Sequence, residues 1–219
     1  MHAKKILSAS FIFFSVAAPA SADEYQVEAG LSSWNYNATG YHTSEMQLDL
    51  SYYFDPVNTE DRPLAIAYYL GRNSNVYGYA YSDIAKHSSN GGGAKGEFWK
   101  NDFYLSANYD RIYGVNGYTA NVGYMLNDGL LLAVGVVDGD NYLRPTYTMS
   151  AKYVGKIGAR FVNIDAKTTS NSGFYNYTLG GDYFFSNAFS MGAEMRYADS
   201  TSNIEKHLIR GQYFLSSKT

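Results

Sequence analysis

The chain has 219 residues, with 17 basic and 20 acidic side chains and no cysteine. The missing thiols exclude disulfides, thiolate catalysis and cysteine metal centres, and the acidic balance argues against nucleic acid as a partner. Its 23 tyrosines and 21 glycines against only 4 prolines favour strands and an aromatic with a polar tip. At the N-terminus, Lys4 and Lys5 precede the apolar run ILSASFIFFSVAAPA, and ASA follows before Asp23. A positive start, a short apolar core and an A-x-A site are the parts of a secretory signal peptide, with cleavage expected after Ala22. Loss of Lys4 and Lys5 leaves 15 bases against 20 acids, a formal charge of −5. No later stretch approaches the roughly 20 apolar residues that a spanning helix requires. Residues 23–219 therefore read as a single exported domain.

From there period-two alternation is nearly continuous. In EMQLDLSYYF, Met46, Leu48, Leu50, Tyr52 and Phe54 share one face, and Glu45, Gln47, Asp49, Ser51 and Tyr53 the other. YTANVGYML and FSMGAEMRY repeat the pattern. Strands are expected over 24–37, 42–54, 63–84, 91–99, 103–111, 117–126, 129–138, 144–154, 157–168, 173–185, 188–199 and 205–215, twelve in all. A bulge is expected near GRNSN, where the parity of the 63–84 strand breaks. The facing of 91–99 and of GLLLAVGVV in 129–138 stays open, since Leu131 is as apolar as its neighbours.

The connections KND, NDG, GK and SNA are tight, whereas HSSNGGG, DGDNY and TTSNSG are longer, polar and glycine-rich. These two sets alternate, and only DPVNTEDRP (55–63) is long among the tight ones. A closed antiparallel β-barrel with its two ends in different compartments produces that alternation. Descending strands finish in YYF, FW, YML, KYV, YFF and QYFL, a ring of aromatic and aliphatic residues such as a membrane interface favours. The expectation is an all-β, twelve-stranded transmembrane barrel in an outer membrane. A soluble β-sandwich also alternates with period two, but needs neither the segregated turns nor the tyrosines.

If the apolar faces meet lipid, the alternate residues line the lumen. Glu28, Glu45, Asp49 and Asp110 would occupy one arc, and Lys152, Arg160, Arg196 and Arg210 another, with Asp182 and Glu194 interspersed. Opposed arcs in a narrow lumen would act on ions through a transverse field. The alternative is that these groups pair and plug the lumen, as side chains fill smaller barrels. Tyr53, Tyr69, Phe184 and Phe214 would also face inward, as filling or as surfaces for sugar rings. Three histidines follow the leader, His42, His87 and His207, but no nucleophile elbow, HExxH or metal-ligand spacing accompanies them. Catalytic residues, metal sites and cofactors are thus not indicated, and nothing marks a subunit interface.

At YYFDPVNTEDRPLAIAYYLGRNSNVYGYAYSD (52–83) the sequence resembles the family of putative general bacterial porins. The matching positions are Tyr53, Phe54, Pro56, Val57, Thr59, Pro63, Leu64, Ala65, Ala67, Leu70, Arg72, Ser74 and Val76. The chain departs from the family in ending QYFLSSKT rather than on a terminal aromatic, and in its short outer loops. The resemblance implies a pore that passes ions and small polar solutes and is surrounded by outer-membrane lipid. The other reading is a non-conducting barrel with a surface-binding or structural role.

Overall fold

A computed structural model of the chain describes residues 5–7, 11–21, 24–38, 41–83, 90–112, 114–140, 145–171, 174–199 and 204–215. Two strands come from the leader region, β1 (Lys5–Leu7) and β2 (Phe11–Ser21). Twelve more follow: β3 (Glu24–Ala38), β4 (Tyr41–Asn58), β5 (Asn75–Asp83), β6 (Asn90–Lys100), β7 (Phe103–Ile112), β8 (Val115–Asn127), β9 (Leu130–Gly139), β10 (Thr146–Ile157), β11 (Arg160–Asn171), β12 (Phe174–Phe184), β13 (Phe189–Ala198) and β14 (Ile204–Leu215). From β3 to β14 each strand pairs antiparallel with the next, which is the expected twelve-stranded meander. β2 stands between its two ends, antiparallel to β3 and parallel to β14.

The sheet inverts the distribution of a water-soluble protein. Leu48, Leu50, Phe103, Met149 and Ile209 are all more than half exposed on its outer face. The buried side chains of the inner face include Ser51, Asn75, Ser106, Thr148, Asn163, Asp182 and Ser190. A sandwich would bury the first set and solvate the second. A barrel in lipid does the reverse, because hydrocarbon rather than water solvates its outer face. Aromatic pairs mark both rims: Tyr52–Phe54, Phe103–Tyr124 and Tyr183–Phe185 near the tight turns, with centroids 4.9–6.0 Å apart, and Tyr109–Tyr118 and Tyr177–Tyr197 towards the other end. At roughly 3.3 Å per residue, Tyr118 and Tyr124 lie about 20 Å apart along β8, or about 15 Å in height at the tilt of about 40° usual in such barrels, which fits within an outer-membrane apolar band.

Two expectations are corrected. The segment 63–84 is not one bulged strand: Leu64–Leu70 forms a helix, α1, and strand structure resumes only at Asn75. The string LAIAYYL is apolar at both parities, so alternation could not separate helix from strand there. At seven residues α1 is too short to persist alone, and packing decides it. One long polar connection also shrinks, because β11 and β12 extend through TTSNSG until only 172–173 separate them. The longest connection, 59–74, lies instead at the tight-turn end.

Candidate functional site in the barrel lumen

Alternation alone places an inner wall, but α1 decides what that wall encloses. Pro63 caps the helix in an extended conformation and Gly71 ends it, its N–H reaching the Ala67 carbonyl at 2.9 Å. The first helical N–H, Leu64, would be orphaned, and donates to the Asn187 carbonyl in the β12–β13 turn at 2.9 Å. The Tyr25 hydroxyl of β3 donates to the Leu64 carbonyl at 3.2 Å. At the other end of the helix, the Tyr69 hydroxyl donates to the carbonyls of Gly129 and Lys152, both at 3.1 Å. Burial pushes that hydroxyl up to about 12, so it keeps its proton. Arg72, in a left-handed conformation (φ 54°), reaches Asp102 at 3.0 Å and Asp128 at 3.5 Å, one acid in each of two tight turns. The helix is thus tied to β3, β10 and three different turns, and forms a floor across the tight-turn end.

That floor explains the apolar residues on the polar face. Ile66 and Tyr69 pack with inward-facing Trp99, Tyr104, Met125, Leu131, Val154 and Phe184, and Ala67 packs with Tyr25, Tyr53 and Val57. Tyr69 meets Trp99 edge-on, with centroids 6.0 Å apart. The two open facings are settled by the same contacts. Trp99 and Leu131 are buried inward, while Phe98 and Leu132 are exposed outward. Tyr53, Phe184 and Phe214 are all buried on the inner face and Tyr69 sits in the helix. Tyr53, Tyr69 and Phe184 pack in the floor, and Tyr53 and Phe184 also line the cavity above it together with Phe214.

Above the floor is a cavity of about 440 Å3 lined by residues that include Glu28, Asp49, Tyr68, Lys152, Asp182 and Arg210. A second, of about 330 Å3, shares Tyr68 and Lys152 and adds Asp165 and Lys167. Glu28 accepts the Tyr53 hydroxyl at 3.1 Å. Arg210 grips Asp182 with two bonds of 2.7 Å and reaches Glu194 at 3.4 Å. The bridge crosses β13 at Gly192, where a Cβ would lie 2.1 Å from the Asp182 carboxylate. Glu194 also pairs with Arg196 nearer the loop end. Lys152 holds its ammonium 4.7 Å from the Tyr69 ring centroid. Asp110 faces inward and accepts the Asn108 amide at 2.9 Å.

Arg160 is the exception. It pairs with Ile157 and shares the outward parity of Val162 and Ile164, so it lies exposed beside a turn and not in the lumen. The apolar phase of FVNIDAK carried this signal, because Val162, Ile164 and Ala166 fix it. Glu45, His42 and His87 fall outside the residues whose side chains are described. Among the described residues, no group of three histidines or acids could hold a metal ion.

Sequence reasoning missed Lys95, Glu97, Asp165 and Lys167. Glu97 pairs with Lys95 and accepts the Tyr104 hydroxyl at 2.7 Å and the Asn75 amide at 3.1 Å. The opposed-arc pattern is accordingly diluted. Arg210 is neutralised on its own side and Lys95 stands beside Glu97, leaving Lys152 and Lys167 as the bases facing the cavities without a salt bridge among the described residues.

A barrel with apolar residues outside, charged residues inside and aromatic rims is an outer-membrane β-barrel of the porin type. The chain belongs to the family described as putative general bacterial porin, whose sequence profile matches residues 2–144. It is similar to the crystal structure of the Acinetobacter baumannii outer membrane protein Omp33, with 27% identity and a TM-score of 0.68 over 80% of this chain and 78% of that one. No curated protein matches it.

Proposed function

We propose that the protein is a porin-like channel for passive diffusion of ions and small polar solutes across the outer membrane of a Gram-negative bacterium. It reaches that membrane after its leader is cleaved behind Ala22. The observation that carries this reading is the charged inner wall, continuous from the upper strands to α1, inside an apolar shell. Solutes enter from the loop end, occupy the cavity bounded by Asp49, Lys152 and Arg210, and pass α1 as the narrowest level. Selection follows from width and from the charges facing the cavity. No cofactor takes part, and lipid covers the outer face.

The seated helix favours a second reading, a non-conducting barrel with a binding or structural role. Single-channel current of the refolded chain 23–219 in a planar bilayer, under a salt gradient, separates the two. Discrete steps with a nonzero reversal potential are expected. A folded, inserted barrel that passes no current would overturn the channel and put the second reading first.

A further inference from the structure

We infer that the cavity above α1 is a binding site for short zwitterionic peptides, and this rests on the lumen being a solute path. Of the seven charged side chains that line it, Asp49 and Lys152 stand on nearly opposite walls. Asp49 on β4 and Lys152 on β10 are six strands apart in sheet order, and both line the same cavity. Among the described residues neither takes part in a salt bridge, unlike Arg210 with Asp182 and Lys95 with Glu97. Gly30 stands across from Asp49, and any Cβ there would lie 2.2 Å from its carboxylate, so the glycine keeps room for that acid. Lys152 lies against the Tyr68 and Tyr69 rings, and although Asp165 stands beside it on β11, no carboxylate oxygen comes within 4.0 Å of its ammonium among the described residues.

A ligand with an ammonium at one end and a carboxylate at the other satisfies both walls. The cavity of about 440 Å3 corresponds to about 9 Å across if taken as a sphere. An extended tripeptide spans at most roughly 10 Å, whereas both charges of a single α-amino acid sit on one carbon. Between the charged poles the wall carries the side-chain amides of Gln47, Asn75, Asn163 and Gln212; each already makes at least one bond within the wall, to Tyr77, Glu97, Asp182 and Ser190 respectively, and a peptide ligand would use the donor and acceptor capacity that remains. The ammonium would face Asp49 and the carboxylate Lys152, with amides and aromatic rings between them.

The test is calorimetry of the refolded barrel in detergent with four probes of one length: trialanine, its N-acetyl form, its C-terminal amide, and the form blocked at both ends. Trialanine is expected to bind at least tenfold more tightly than the doubly blocked peptide. Asp49→Asn should weaken trialanine and its amide about tenfold and leave the N-acetyl form unchanged. Lys152→Gln should weaken trialanine and the N-acetyl form and leave the amide unchanged. Tenfold is the ratio that about 1.4 kcal/mol sets. Heat-modifiable gel migration reports folding of each variant. Equal binding of all four probes, or an amide that binds as well as trialanine, would overturn the inference. Calorimetry needs no current: a barrel that binds trialanine but stays silent in the bilayer refutes the channel alone, and one that conducts without preference among the probes refutes this site alone.

Discussion

Tyr69→Ala should open the lumen, and the size of the effect can be worked from its contacts. The ring is buried to 2% exposure, lies edge-on to Trp99 and carries the Lys152 ammonium. Truncating such an aromatic costs about 3–5 kcal/mol. The hydroxyl contributes only about 1 kcal/mol of that, because the Gly129 carbonyl it leaves still accepts the Val154 N–H at 2.8 Å. The loss falls on α1 and not on the strand ladder, since Tyr69 belongs to no strand. A seated helix weakened by about 4 kcal/mol has its unseated population raised roughly a thousandfold. Single-channel recording should therefore show larger or longer openings for Tyr69→Ala, and for Tyr69→Phe a change of less than about tenfold. Liposome swelling with neutral sugars should accelerate in parallel. If Tyr69→Ala folds, migrates as a heat-modifiable barrel and carries the same current as the parent, α1 is not the narrowest level and the floor argument fails.

The arginines provide an internal control for facing. Neutralising Arg196 and Arg210 together should move the reversal potential towards cation preference, whereas Arg160→Gln should leave it unmoved; a shift from Arg160→Gln alone would contradict its outward parity. Gly192→Ala places a methyl against both the Asp182 carboxylate and the Gly181 carbonyl, 2.1 and 2.4 Å away. It should lower the temperature at which the barrel loses its compact gel mobility, and because breaking a buried ion pair costs about 3–5 kcal/mol, an unchanged transition would mean that the Arg210–Asp182 bridge does not matter. Leu31 and Tyr213 each pair with Phe14 of β2. Once residues 1–22 are removed they should become direct neighbours, and the double variant Leu31→Cys with Tyr213→Cys should form a disulfide in the folded barrel. Free thiols in a folded, oxidised sample would rule out that register for the closing seam.

The legible part of this protein is the part governed by alternation. Period two, read at Met46 through Phe54 or Tyr118 through Leu126, puts apolar side chains on one side of a sheet wherever the strand runs, and the inner wall follows by subtraction. Asp49, Lys152, Asp182, Glu194, Arg196 and Arg210 were legible for that reason, as were the strand order and the aromatic rims. Arg160 was misplaced although its phase was readable, and Lys95 and Glu97 were passed over because Phe98 and Trp99 offered an aromatic at either parity. The fate of LAIAYYL was not legible at all. The segment is apolar in every phase and too short to be a helix by itself, so its conformation depends on what surrounds it. Trp99, Leu131, Val154 and Phe184 come from four strands spread through the chain and meet only after the sheet has curled. Their convergence supplies the apolar surface that makes a seven-residue helix stable inside the barrel. A local pattern can state which side of a strand faces inward, but not that a turn of chain from elsewhere will fill the inside, because that contact exists only once the sheet has brought distant strands to one level.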